Sequence, residues 1–386
     1  MDALTVIVAH NRYRQVGGEE RCVALQLAAL RAAGVRCALL ERDSAALARS
    51  AAARALLAGG ERGLASAVAA AAAQAGRGRQ LVVHAHNLLP ALGPRLLESA
   101  RRLGARTVLQ LHNLRLSCSI GIAWRNGRVC QQCRGRFTLP AVLHDCRRSL
   151  PESVVYAAAL ARHFRRTLAA VDRFVVPSAY ALARVRAIGV PQERVRVVPH
   201  YLPPDAFASS SCADTGRYAL VAARLVPEKG VEWALRAASA ARVPLVIAGA
   251  GPERARLAAL ARELAADVRF SGWASADELR RLRAEAAFVL VPSLVPEFAG
   301  YAALEALAAG LPVVAARAGA LPELVGDNSC VQPGAVDELA ERMALLWGDP
   351  ARRRAEGERN LARAREHFAR ERYIDDIRAL YGEFAP

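Results

Sequence analysis

Short apolar runs rich in β-branched residues alternate along the chain with longer stretches whose apolar positions fall three and four apart. In the first half the runs are 5–10 (TVIVAH), 36–41 (RCALLE), 81–86 (LVVHAH), 107–112 (TVLQLH), 173–178 (RFVVPS) and 194–200 (RVRVVPH). In the second half they are 218–225, 244–251, 268–272, 288–293 and 312–316. Runs this short and nearly continuously apolar predict strands buried on both faces, so the helical stretches must cover both sides of parallel sheets. The pattern occurs twice, on either side of the proline- and serine-rich stretch 201–216 (YLPPDAFASSSCADTG). That predicts two doubly wound α/β domains, 1–200 and 217–365, joined by a linker over 201–216. A last helix is expected over 366–386, packing back on the first domain. The alanine-rich stretch 44–75 is a good helix former and is expected to cover the first sheet.

Length and composition agree with this. A chain of 386 residues, 53% hydrophobic and 23% charged, can bury two cores and is not disordered. No apolar run approaches the roughly 18 residues of a transmembrane helix, and MDALTVIVAHN enters a strand without a basic leader, so a cytoplasmic location is expected. The net charge of +17 is uneven. Residues 1–200 hold 30 Arg and 11 acids, whereas 201–386 hold 22 Arg, one Lys and 25 acids, so the first half carries the whole excess. Such a half attracts nucleic acid, an anionic membrane or an acidic substrate. Nucleic acid is disfavoured, because aromatics are only 5% of residues, are not interleaved with the arginines, and form no recognition motif.

Doubly wound sheets take ligands beyond the carboxyl ends of their strands, and the residues with chemistry lie there. Gly17 and Gly18 separate the first strand from a helix, either to let backbone approach a ligand or as an ordinary tight turn. After the strand at 218 come Arg224 and Lys229, the chain's sole lysine. A compact ammonium suits a point contact to phosphate, against the plainer reading of a solvated loop. Gly249 opens another glycine-rich turn before a helix. Beyond the run 288–293, Glu297 stands in a loop, and Gly300 begins a helix expected to run through Glu305 and stop at Gly310. Its N-terminus offers N–H groups to a diphosphate. Glu305 could then accept from a ribose diol and Glu297 from sugar hydroxyls. The plainer roles are a cap for Glu297 and a wet face for Glu305, the latter disfavoured by the apolar neighbours in LEALAAG.

Arg224 with Lys229, the Glu297/Glu305 pair at E-x7-E spacing around Gly300, and EALAAGLPVVA together resemble the donor half of a family 4 glycosyltransferase. GGEE, VVHAHNLLP, LQLHNLRLSC and VVPSAYA resemble its acceptor half. The resemblance implies the GT-B fold, two Rossmann-like domains facing a central cleft. It also implies retaining transfer of a sugar from a nucleotide-diphosphate sugar to a saccharide or lipid-linked acceptor, in cell-surface polysaccharide or glycoconjugate synthesis. By that likeness Arg224 and Lys229 neutralise the diphosphate, Glu305 binds ribose and Glu297 the transferred sugar, while Gly249 and Phe298, Ala299 and Gly300 lie against the donor. His112 resembles the acceptor-side histidine near the reacting sugar; His86, with Gly17 and Gly18, is expected to line the acceptor cleft, and His84 to pack. Two departures stand out: Phe298-Ala299-Gly300 replaces a Gly-Phe-Gly-like sequence, and His200 a common asparagine. Catalysis by charge stabilisation requires no metal or other cofactor. A nucleotide-sugar epimerase of the same architecture is the alternative.

Two features lie outside this scheme. Cys118, Cys130, Cys133 and Cys146 follow C-x11-C-x2-C-x12-C, which suits a structural zinc or reduced, packed thiols. They occupy an insertion over about 118–146, in which Asn126-Gly127 predicts a small hairpin. The helical stretch 149–170, with Arg162, Arg165 and Arg166 after Arg147 and Arg148, is basic and amphipathic. It fits either an anionic membrane surface or an ordinary covering helix.

Overall fold

The computed structural model describes residues 4–13, 17–76 and 80–384. The chain forms two compact units. The first holds the described residues up to Arg125, then Cys130–His200 and the chain from Tyr373; the second holds Tyr201–Arg372 with Asn126–Val129.

The first unit opens with β1 (Leu4–Arg12), α1 (Gly18–Ala32), β2 (Arg36–Asp43), α2 (Arg49–Ala58) and α3 (Leu64–Ala75). It continues with β3 (Gln80–Ala85), α4 (Gly93–Arg102) and β4 (Arg106–Gln110). A long excursion carries only β5 (Trp124–Arg125), β6 (Arg128–Val129) and α5 (Leu139–Leu143). Then come α6 (Leu150–Ala170), β7 (Arg173–Val176), α7 (Ala179–Ala187) and β8 (Val195–Val197). Six strands form one parallel sheet in the order β2-β1-β3-β4-β7-β8. Helices on both faces explain the unbroken apolar runs: Val6, Ile7, Val8 and Ala9 of β1 are all fully buried.

The second unit repeats the plan. It runs β9 (Ala219–Ala222), α8 (Val231–Ala241), β10 (Leu245–Ala248), α9 (Arg254–Glu263), β11 (Val268–Gly272) and α10 (Ala276–Ala284). There follow β12 (Phe288–Val291), α11 (Tyr301–Ala308), β13 (Val313–Ala316), α12 (Leu321–Val325), β14 (Cys330–Val331), α13 (Val336–Gly348) and α14 (Pro350–Phe368). The parallel order is β11-β10-β9-β12-β13-β14. One core lies on each face of this sheet, around Leu220, Val289 and Leu307 on one side and Val221, Phe288 and Met343 on the other.

From Tyr373 onward, α15 (Arg370–Gly382) belongs to the first unit. Its buried Tyr381 hydroxyl lies 2.8 Å from His84 Nδ1, and Glu383 pairs with Arg173 and Arg196.

The stretch 201–216 packs within the second unit: Leu202 and Ala213 are fully buried there, and Ser211 Oγ donates to Gly310 O at 2.6 Å. Arg353, itself buried, donates to Ala213 O and Asp214 O at 2.7 Å. Proline and serine rule out regular structure here, but not burial, once the backbone carbonyls find donors elsewhere. The runs ending in His112 and His200 are shorter than expected, since β4 stops at Gln110 and β8 at Val197. Among the described residues, no helix is long and apolar enough to cross a membrane.

Candidate functional site

In the second sheet, the connection from β9 leads to β10 on one side while that from β12 leads to β13 on the other. Loops leaving neighbouring strands in opposite directions open a crevice at the switch point. The β9 loop carries Arg224 and Lys229, and the β12 loop carries Ser293 and Glu297. The crevice brings them together: Lys229 Nζ lies 2.5 Å from Glu297 Oε1, to which Ser293 Oγ also donates at 2.7 Å. Burial would raise the Glu297 carboxyl, but Lys229, Ser293 and Arg224 outweigh it and hold it below its ordinary range. Glu297 is therefore a fixed, ionised acceptor beside two cations, a set that can grip sugar hydroxyls and diphosphate together.

The backbone of Glu297 is held as firmly. Its N–H points to Ala318 O, and its carbonyl accepts from Ala320 N at 2.8 Å, making a bridge to Gly319. Gly319 has φ +69°, and a Cβ there would fall 2.2 Å from Glu297 O. Three residues on, Gly300 at φ +67° caps α11. A Cβ at Gly300 would meet the Leu321 side chain at 2.8 Å. Phe298 and Ala299 are half-buried between them, and Gly249 follows β10 directly, its N–H donating to Gly272 O at 2.6 Å.

Glu305 lies one turn inside α11, where it is buried and paired with the equally buried Arg283 of α10. The plainer reading of a wet face, disfavoured by the apolar neighbours in sequence, is thereby excluded. A ribose diol would have to share this carboxylate with Arg283. Sequence reasoning passed over Ser293, Gly319 and Arg283; only the AGALPE turn, which resembles an ordinary bend, hinted at Gly319.

In the first sheet the switch point falls between β1 and β3. Four imidazoles stack there in file: His84 on His86 and His86 on His112 at 5.2 Å between centroids, and His112 on His200 at 5.6 Å. His86 Nε2 lies 2.5 Å from Gln26 Oε1, and His86 Nδ1 lies 2.9 Å from His112 Nε2. With the Gln26 amide so assigned, its oxygen takes the His86 Nε2 proton. His86 Nδ1 must then accept from His112 Nε2–H, leaving His112 Nδ1 as an acceptor. Burial, then the neighbouring imidazoles, pushes His86 and His112 well below the usual histidine range; burial lowers His200 to about 4 and, against a smaller opposing influence of the Gln110 side chain, His84 to about 3. The stack is neutral at neutral pH. Cys22 Sγ lies 3.5 Å from His200 Nδ1, and Cys22, His112 and His200 present ligand atoms within 4.8 Å of one another.

His86 and His112 line a cavity of about 60 Å³ with Tyr13, Glu19, Asn113 and Arg115 over an apolar floor that includes Leu160 and Phe164. Glu19 Oε1 accepts from Asn113 Nδ2 at 2.6 Å and from the Tyr13 hydroxyl at 3.1 Å. Burial, opposed by Arg115, raises its carboxyl to about 6. Its neighbour Glu20 turns the other way, accepting from Tyr13 N at 3.0 Å and Gly17 N at 2.8 Å. The Gly17 N–H is thus occupied by the chain's own carboxylate. Gly17 is extended and precedes Gly18, which opens α1. Neither glutamate of GGEE received a role from sequence.

Residues 16–205 match the family model described as Glycosyltransferase Family 4, and residues 204–363 match the one described as Glycosyl transferases group 1. The chain belongs to glycosyltransferase family 4. It is 34% identical over 222 residues to the MMP alpha-(1->4)-mannosyltransferase of Mycolicibacterium hassiacum, covering 54% of this chain and 53% of that protein. It is 33% identical over 147 residues to the GDP-mannose-dependent monoacylated alpha-(1-6)-phosphatidylinositol monomannoside mannosyltransferase of Corynebacterium glutamicum, covering 35% and 39%. The chain spans about half the length of the curated relatives it matches. Among solved structures, sucrose-phosphate synthase from Thermosynechococcus elongatus superposes with a TM-score of 0.70 at 19% identity, over 98% of both chains. Anabaena HepE in complex with UDP-glucose superposes with 0.66 at 18%, over 98% of this chain and all of that one. The fold is GT-B, two Rossmann-like α/β domains. In this family 4 member, the family 4 match covers the histidine stack, and the group 1 match covers the Lys229–Glu297 pair.

Proposed function

We propose that this family 4 protein is a retaining glycosyltransferase, moving a hexosyl group from a nucleotide-diphosphate sugar to a hydroxyl of a saccharide or lipid-linked saccharide. The observation that carries the reading is the Lys229–Glu297 pair, set at the switch point of the second sheet with Arg224 beside it. As the bond from the anomeric carbon to the diphosphate breaks, negative charge grows on the leaving phosphate and positive charge on the sugar. Lys229 and Arg224 stabilise the first, and Glu297 orients the hydroxyls of the second. With Lys229 and Arg224 donating to the leaving diphosphate, this step requires no metal.

The first unit is the acceptor side. His112, neutral and with Nδ1 as acceptor, receives the hydrogen bond of a substrate hydroxyl, while Glu19, Asn113 and Arg115 hold the sugar above an apolar floor. Relatives named as GDP-mannose-dependent support GDP-mannose as the first donor to try. They also support an acceptor in surface glycoconjugate synthesis.

A lipid-linked acceptor fits the surface of α5 and α6. Leu139, Leu143, Leu150 and Val154 are exposed there, and Leu143 is 71% exposed. Arg162 and Arg165 continue the exposed stripe of α6, whereas Arg166 turns to pair with Glu98. Leucines to enter the interface and arginines to meet anionic headgroups make a peripheral membrane face, on the cytoplasmic side.

The test is thermal stabilisation by GDP-, UDP- and ADP-sugars, followed by product analysis. A donor at 100 times its Kd stabilises the fold by about 2.7 kcal/mol. NMR of the product should show the donor's anomeric configuration kept. No stabilisation by any nucleotide sugar, or conversion of the free sugar nucleotide to an epimer, overturns the reading.

A further inference from the structure

We infer that Cys118, Cys130, Cys133 and Cys146 bind one structural zinc ion that pins the excursion between β4 and α6. All four are free thiols, and all four line one cavity of about 30 Å³ in the first unit. One water needs only about 10–15 Å³ of such space, so a single ion has room. The ends of the excursion are anchored, but its middle has two strands of two residues each and a five-residue helix. A hairpin so small is not stable alone. Asn126 and Gly127, both at positive φ, make its turn. Of the six described non-glycine residues at positive φ, four lie in this stretch: Ala123, Asn126, Asp145 and Arg148. Apart from Asn126, whose turn requires it, these are unfavourable conformations that the surroundings must hold.

The surroundings suit a tetrathiolate. Zinc binding expels the four thiol protons and leaves a centre of charge −2. Arg125, Arg134 and Arg184 line the same cavity and offset that charge. The hydroxyls of Ser117 and Ser119 also line it, and both are buried without a hydrogen-bond partner. Thiolate sulfurs would accept hydrogen bonds from these hydroxyls, the outer-shell support that metal-bound sulfur normally has.

The thiol–imidazole group that already lies within 4.8 Å, Cys22 with His112 and His200, is the rival site. It offers three ligands, and each is engaged: Cys22 with His200 and Gln110, and His112 with His86. The four cysteines surround one cavity without their sulfurs lying that close together, and the ion would draw them in. The consequence reaches the acceptor cavity, because Asn113, Arg115 and Leu116 line that cavity while Leu114, Ser117 and Cys118 line the zinc site. The ion fixes one wall of the acceptor pocket.

The experiment is metal analysis of the full chain, purified without chelator or affinity metal. About one zinc per chain is expected, released as a mercurial titrates the cluster thiols. Cobalt exchanged for zinc should show the intense thiolate charge-transfer bands of a tetrahedral tetrathiolate site. Cys130→Ser and Cys133→Ser should each retain less than about a tenth of the zinc, and Cys22→Ser all of it. Metal-free protein that takes up no added zinc overturns the inference. So does zinc lost in Cys22→Ser but kept in the other two, or a mass showing the cluster joined as disulfides. Zinc content is read without activity, so this outcome is independent of the glycosyltransferase reading.

Discussion

Lys229 Nζ and Glu297 Oε1, 68 residues apart in the chain, stand 2.5 Å apart across the switch point of the second sheet. The chain's sole lysine thus neutralises a half-buried carboxylate.

Removing either cation tests that arrangement. Lys229→Ala or Arg224→Ala should lower kcat/KM with the nucleotide sugar by about 10²-fold, since each stabilises charge that grows in the transition state. Lys229→Ala should also weaken nucleoside diphosphate binding by calorimetry. Unchanged constants in folded protein would refute the donor assignment.

Gly319 is predicted to matter without touching substrate. Gly319→Ala places a Cβ 2.2 Å from Glu297 O and asks a non-glycine residue to hold φ +69°. The turn must shift and carry Glu297 with it. Donor affinity and Tm should both fall, whereas Gly348→Ala, on α13 with open space around it, should change neither.

Glu19 and Glu20 should give opposite pH dependences. Burial raises Glu19 from 4.5 to about 6, so the folded chain holds this proton more tightly than the unfolded one. Its contribution is fully present below the unfolded pKa and is lost as pH rises through about 6. Glu19→Gln should therefore gain about 2 kcal/mol relative to wild type above that range and little below it. For Glu20, burial is outweighed by His10 and the Tyr13 and Gly17 N–H groups, which lower it to about 2. Its contribution is present above the unfolded pKa and is lost as pH falls toward 2, so Glu20→Gln should destabilise at neutral pH. Melting curves from about pH 2.5 to 8 read both; parallel profiles for the two variants would refute the assignment.

Membrane binding should divide the arginines of α6. Arg162→Gln with Arg165→Gln should reduce retention on phosphatidylglycerol vesicles by about 1 kcal/mol per charge, and Leu143→Glu should reduce it further. Arg166→Gln should instead lower Tm modestly, because it breaks the pair with Glu98. If wild-type protein stays off anionic vesicles at low salt, α6 is a covering helix alone.

The periodicity of the chain was enough to place most strands, the doubling of the α/β plan, the Asn126-Gly127 hairpin and the loops that carry Lys229 and Glu297. Those are local matters: burial on both faces writes an apolar run, and a turn that needs positive φ selects Asn-Gly. Side-chain partners are another matter. Nothing near Glu305 in sequence names Arg283, and the runs that carry His84, His86, His112 and His200 do not say that their imidazoles will stack. Gln26, which sets the protons of that stack, reads as one polar position on a helix. Each of these contacts depends on which strands are neighbours. Laying β9 against β12 and β1 against β3 is a long-range choice, made by the packing of whole faces and invisible in any single window. The stretch 201–216 shows the same limit, since its composition reports the lack of regular structure but not the carbonyl acceptors that Arg353 finds in it.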